Sequence, residues 1–141
     1  MINSRVKGHA YENEIKMRIN EQLYIHNYPY KLERNLEQVR SGGSDLIGLD
    51  GFAIECKRYN TGSVYRESWW EQTCKNAKEN EIPVLIYRFD RQPSYAVVPI
   101  DWFFSAQFET PKCELREHTA IMKFESFLWF LICYLGVIHG R

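Results

Sequence analysis

Apolar positions recur along the chain with two different spacings. In residues 6–26, Ile15, Ile19, Leu23 and Ile25 form a stripe with Tyr11 one turn ahead, which predicts a helix. Asn3 or Ser4 is placed to cap it, and Asn27-Tyr28-Pro29 ends it. Residues 31–40 have mixed periodicity and read as a strand ending near Val39. Ser41-Gly42-Gly43-Ser44 is a flexible connection. Two short apolar runs follow, Asp45-Leu46-Ile47-Gly48 and residues 52–57, separated by Leu49-Asp50-Gly51, which is a hairpin signal. Residues 58–64 are polar and loop-like. Residues 65–80 read as a second helix with Trp69, Gln72, Thr73 and Asn76 along one side. Residues 83–89 and 95–100 are strands joined by a turn at Asp90-Arg91-Gln92-Pro93, residues 101–119 are irregular, and residues 124–137 form a hydrophobic helix. The order of helix, strands, helix, strands and helix predicts an α/β domain with a mixed sheet flanked by helices.

At 141 residues, 45% of them hydrophobic, the chain makes one domain, 1–141, and is too short for two comfortable ones. Eighteen basic and eighteen acidic residues give a formal net charge of zero. That excludes a polycation binding nucleic acid by bulk charge and leaves room for a local basic groove. Cys56, Cys74, Cys113 and Cys133 include no Cys-x-x-Cys pair, and the first residues carry no apolar signal region. The expectation is a reduced, cytoplasmic protein. The longest apolar run, residues 127–138, is shorter than the roughly 20 residues a bilayer needs, so it reads as a buried or interface helix with no membrane role. Phe124, Phe127, Leu128, Phe130, Leu131, Ile132, Tyr134, Leu135 and Val137 make this helix apolar nearly all round. A monomer covers one face of it, and a two-fold interface would cover the other, with Trp102-Phe103-Phe104 in the same cluster.

The candidate chemistry centres on Glu55-Cys56-Lys57. Alternate strand residues share a face, so Phe52, Ile54 and Cys56 point to the core, while Glu55 and Lys57 point the other way beside Ala53. Alone, that spacing reads as a solvated strand face. Asp45 changes the picture through the hairpin register. A two-residue loop would pair Asp45 with Cys56 and bury an unpaired charge, at a cost of several kcal/mol. A three-residue loop, with Gly51 in the left-handed position, pairs Leu46 with Ile54 and Asp45 with Glu55. Two opposed carboxylates repel, unless a divalent cation sits between them. Mg²⁺ suits such a site, with the Cys56 main-chain carbonyl as a further oxygen. Lys57 would then hold the attacking water or offset negative charge in the transition state. By spacing alone, Glu12 is an ordinary exposed helix residue. Arg40, Lys57, Arg58, Arg66, Lys75 and Lys78 cluster in sequence around the hairpin and following helix, diluted by Glu67, Glu71 and Glu79. Two readings stand for them: a salt-bridged surface or a DNA-facing groove.

Asp45 followed by Glu55-x-Lys57 resembles the signature of the PD-(D/E)XK nuclease superfamily. Lys7-Gly8-x-x-x-Glu12, residues 39–47, residues 54–57 and Ile82-Pro83-Val84-Leu85 resemble the archaeal-type Holliday junction resolvases, most of all their bacteriophage relatives, as does Trp69-Trp70-Glu71-Gln72. The likeness covers about residues 5 to 100 and leaves 101–141 as a C-terminal extension. It implies a restriction-endonuclease-like core and a dimeric, Mg²⁺-dependent endonuclease (Mn²⁺ substituting) that cuts branched DNA without a nucleotide cofactor. A phage-encoded member would act in the host cytoplasm. The resemblance assigns Glu12, Asp45, Glu55, Lys57 and Gln72 to the catalytic set, with Asp45, Glu55, Glu12 and the Cys56 carbonyl as metal ligands. Arg40 and Ser41 or Ser44 fall beside the site, and Arg58, Arg66 and Lys75 extend the DNA-contacting set. Asn13 stands where archaeal members often carry arginine, and the zero net charge departs from their basic character.

Overall fold

The computed structural model describes residues 4–102 and 118–140. Six strands form one sheet in sequence order: β1 (Glu33–Arg34), β2 (Leu46–Ile47), β3 (Phe52–Tyr59), β4 (Ile82–Phe89), β5 (Tyr95–Pro99) and β6 (Thr119–Lys123). β3 and β4 pair in parallel and every other neighbour is antiparallel. Parallel neighbours require a crossover, here supplied by α3 (Glu67–Asn76). Among the described residues, the other helices include α1 (Ser4–Ile25), the single turn α2 (Gln38–Ser41) and α4 (Phe124–Ile138). This mixed sheet with flanking helices agrees with a restriction-endonuclease-like core.

The sheet is covered on both faces. On one, Tyr11, Ile15, Ile19 and Leu23 of α1 and Phe124, Phe127, Leu131 and Leu135 of α4 pack on Phe52, Ile54, Val84, Ile86, Ala96 and Val98. On the other, Trp69 and Trp70 of α3 pack on Leu85, Tyr87, Phe89 and Val97. Strands buried on both faces read as continuous apolar runs, as β4 does. Trp102 joins the first core, edge-on to Phe130 and Phe52. No helix among the described residues is long and apolar enough to cross a membrane.

Several expectations are corrected. Ile25 is 56% exposed and lies off the α1 stripe, because it is the last residue of α1 and only two positions past Leu23, which at 3.6 residues per turn puts it on the opposite side of the helix. The segment expected to be a strand up to Val39 pairs only at Glu33 and Arg34 and then coils into α2. Asn35 diverts it: its side-chain oxygen accepts from the Glu37 N–H at 3.2 Å, while its amide donates to the Gly42 and Ser44 carbonyls. β3 runs on to Tyr59, into residues expected to form a loop, and α3 stops at Asn76. Residues 119–123, of which only Thr119 fell in the stretch expected to be irregular and the rest had no expected element, form a strand, β6, paired residue for residue with β5 at the edge of the sheet. An edge strand with Ile121 half exposed gives little apolar signal. Phe103, Phe104 and Cys113 lie outside the described residues.

Candidate active site

The β2–β3 hairpin sets the geometry. Leu46 stands opposite Ile54, so the connection is the three-residue loop Leu49-Asp50-Gly51. Gly51 has φ +87°, and the Phe52 N–H donates to the Leu49 carbonyl at 3.2 Å. Gly48, with φ +111°, lies so close to the backbone leading into β1 that a Cβ there would meet the Lys31 carbonyl oxygen at 2.2 Å. Counting outward from the Leu46–Ile54 pair, the next positions are Asp45 and Glu55.

Both carboxyl groups are buried, Asp45 at 8% and Glu55 at 1% exposure. The opposed acids therefore do not sit at a wet sheet end; α3 covers the Glu55 face. Asp45 is held by the Cys56 N–H on Oδ2 at 2.8 Å and by Gln38 Nε2 on Oδ1 at 2.7 Å. Glu55 Oε1 accepts from Asn76 Nδ2 at 2.8 Å. The Glu55 pKa is pushed up to about 9, first by burial and then by the charge of Asp45 and a hydrogen bond with it, against the lowering pull of Asn76 and Lys57. Such a pair is neutralised by a shared proton or by a cation. Two hard oxygen donors in one place suit Mg²⁺, which takes one or two carboxylates and keeps waters. Among the described residues, no group of three or more His, Cys, Asp or Glu side chains is placed to hold a metal.

Lys57 points to the same strand face, and its Nζ donates to Gln72 Oε1 at 3.0 Å. Gln72 and Asn76 lie one turn apart on α3, about 6 Å along the axis. Glu55 and Lys57 lie two residues apart on β3, about 6.6 Å. The helix therefore presents one amide to each member of the acid–lysine pair. Thr73, between them, is buried, and its hydroxyl donates back to the Trp69 carbonyl within the helix.

The remaining candidates divide. Glu12 is half-buried on α1 and pairs with Arg34 Nε at 3.0 Å. Burial and the Asp45 charge raise its pKa, and Arg34 lowers it. Glu12 thus lies in the field of Asp45 while its carboxylate is held by Arg34. The Cys56 thiol is on the α1 side, its pKa raised by burial. Ser44 is buried, with its carbonyl bonded by Asn35, and Ser41 is exposed. Arg40 lies in α2, and its side chain is outside what the structure describes. Arg58 follows Lys57 and so takes the other strand face, where Asp90 holds it at 2.7 Å together with Lys7. Arg66, at the start of α3, lies 4.8 Å over the Tyr59 ring and 5.5 Å from that of Trp69. Lys75 is exposed in the last turn of α3. A cleft of about 770 Å³ runs past Ser41, Ser44, Asn76, Lys78 and Asn80 along the hairpin.

Gln38, Arg34 and Asn76 are the site neighbours that the sequence reading left out. Gln38 and Arg34 were hidden inside a segment expected to be one strand. Asn76 had a signal: it shares a helix face with Gln72 at the spacing of the Glu55–Lys57 pair.

A family model described as "Phage putative PDDEXK endonuclease" matches residues 3–128, from α1 into α4. No curated protein matches the chain. The match covers the hairpin with its acid pair, the lysine two residues on and the helix that packs over them. The chain belongs to this phage PDDEXK endonuclease family.

Proposed function

We propose that this chain is a Mg²⁺-dependent DNA endonuclease that resolves four-way junctions by phosphodiester hydrolysis. The observation that carries the reading is the buried Asp45–Glu55 pair, opposed by the hairpin register, with Lys57 on the same face. Asp45 and Glu55 would hold the cation, with the Cys56 main-chain carbonyl and, on the family resemblance, Glu12 as further ligands. Bound there, Mg²⁺ or Mn²⁺ supplies a more acidic water and stabilises charge on the phosphoryl oxygens. Lys57 brings an ammonium to where negative charge develops, and Gln72 fixes its Nζ. Arg66, preordered on Tyr59 and Trp69, and Lys75 flank α3 as phosphate contacts. Ser41, Ser44, Arg40 and Arg58 belong to the same proposed DNA-contacting set, with Arg58 shared with Asp90. No nucleotide cofactor enters this chemistry, and the host cytoplasm is its proposed place of action.

Junction resolution needs two cuts, and a homodimer supplies two sites. α4 offers a surface for it: Trp129 is 72% exposed, with Cys133, Val137 and Ile138 also outward. Light scattering tests this, with Trp129→Glu expected to give monomers.

A second reading, a nicking or restriction-like enzyme of the same fold, is favoured by the zero net charge. Cleavage of four-way, flap and linear duplex substrates side by side separates the two. Preferential cutting of the four-way substrate supports resolution, and equal cutting of linear duplex overturns it. A non-catalytic DNA-binding module predicts no cleavage of any.

A further inference from the structure

We infer that Asn76 is a positioning residue for the acid pair: its side-chain amide fixes the Glu55 carboxylate in the orientation that accepts a divalent cation. The inference rests on the proposed metal-dependent reading and concerns a residue outside the catalytic set named above.

Asn76 Nδ2 donates to Glu55 Oε1 at 2.8 Å from the last residue of α3. The chain leaves the helix immediately afterwards, with Ala77 at φ −79° and ψ +134°. A helix carboxyl end carries partial negative charge and unsatisfied carbonyls, which disfavour a carboxylate nearby. Asn76 offsets this by presenting an N–H donor at that point. A neutral amide also holds Glu55 without neutralising it, whereas a lysine there would compete with the cation. The other oxygen-bearing partner is held as firmly: Asp45 has a hydrogen bond on each oxygen, from Gln38 and from Cys56. Each acid is thus clamped by neutral amide donors, the arrangement by which outer groups orient metal-binding carboxylates.

Gln72 serves the lysine and Asn76 the acid, so the two amides on α3 have separable effects. The measurement is Mn²⁺ affinity, by titration calorimetry and by electron paramagnetic resonance of free Mn²⁺, alongside thermal melts and junction cleavage. For Asn76→Ala, the Mn²⁺ dissociation constant is expected to rise roughly 10- to 100-fold. Cleavage is expected to recover at high Mn²⁺, with the KM for DNA unchanged. Asn76→Gln, which keeps the donor on a longer arm, is expected to recover part of the affinity. Gln72→Ala is expected to lower kcat and leave Mn²⁺ affinity as it was. Folded Asn76→Ala protein with wild-type Mn²⁺ affinity overturns the inference while leaving the endonuclease reading intact. Wild-type protein that binds no Mn²⁺ overturns both. If Asn76→Ala does not fold, Asn76→Gln decides: unchanged cation demand together with an amide displaced from Glu55 in its structure overturns the inference.

Discussion

Leu46 stands directly opposite Ile54, and this one apolar pair determines which residues meet at the end of the hairpin. It places Asp45 beside Glu55 and requires an odd-length turn ending in a glycine at φ +87°. Gly51→Val forces a β-branched side chain into the left-handed position that this loop needs. The expected outcome is destabilisation of about 1–3 kcal/mol together with reduced cleavage, because the turn that opposes Asp45 and Glu55 is strained. Urea unfolding and a cleavage assay on the same preparation check both.

Gly48 reports on the same hairpin without touching the acids. A Cβ there would meet the Lys31 carbonyl oxygen at 2.2 Å, at a φ of +111°. Gly48→Ala is expected to cost about 1–3 kcal/mol, the usual size of a strained backbone position. Chemical denaturation measures it, and an unchanged midpoint would contradict the close approach of the Lys31 backbone to the hairpin.

The acid pair makes the cation-free protein sensitive to pH. Glu55 has a folded pKa of about 9 against an ordinary value of 4.5. Between these values the folded state holds a proton that the unfolded state has lost, so stability falls as pH rises through this window. Glu55→Gln removes that loss. In EDTA, its Tm is expected to exceed wild type at pH 8 by roughly 3 °C or more and to match it near pH 4.5. Melts at the two pH values test the sign.

Much of this was legible in the sequence because it depends on local rules. The α1 stripe through Ile15, Ile19 and Leu23 follows helical spacing, and the Asp45–Glu55 register follows from the glycine at 51 and the need to bury Leu46 against Ile54. The single turn around Gln38 was not legible, since Asn35 competes there with strand pairing through its own side chain. β6 was not legible either, because its existence depends on hydrogen bonds to β5. The Glu12–Arg34 pair joins residues on separate elements, and no spacing rule connects them.

Asp90 shows the opposite pH response. Its pKa is lowered by the Lys7 hydrogen bond and the nearby charges of Arg58 and Arg88. A depressed carboxylate stabilises the fold above its unfolded pKa, and that contribution disappears as pH falls through the folded value. Asp90→Asn is expected to lower the Tm at pH 7 and to match wild type in strong acid. Melts across pH 2 to 7 follow the convergence.

Lys57 and Gln72 are predicted to act on turnover. Lys57→Ala is expected to reduce kcat by about 10²- to 10³-fold, as for loss of a group facing developing charge. Gln72→Ala is expected to be milder, because the ammonium remains. Single-turnover cleavage at saturating Mg²⁺ measures both, and a larger loss for Gln72→Ala would reverse the assigned roles.

The most direct test is cleavage of a synthetic four-way DNA junction by wild type and Glu55→Ala, with Mg²⁺ and with EDTA. The predicted result is cutting by wild type with Mg²⁺ alone, and none in the other three conditions. Cutting that survives either EDTA or the loss of Glu55 would contradict hydrolysis at the opposed acid pair.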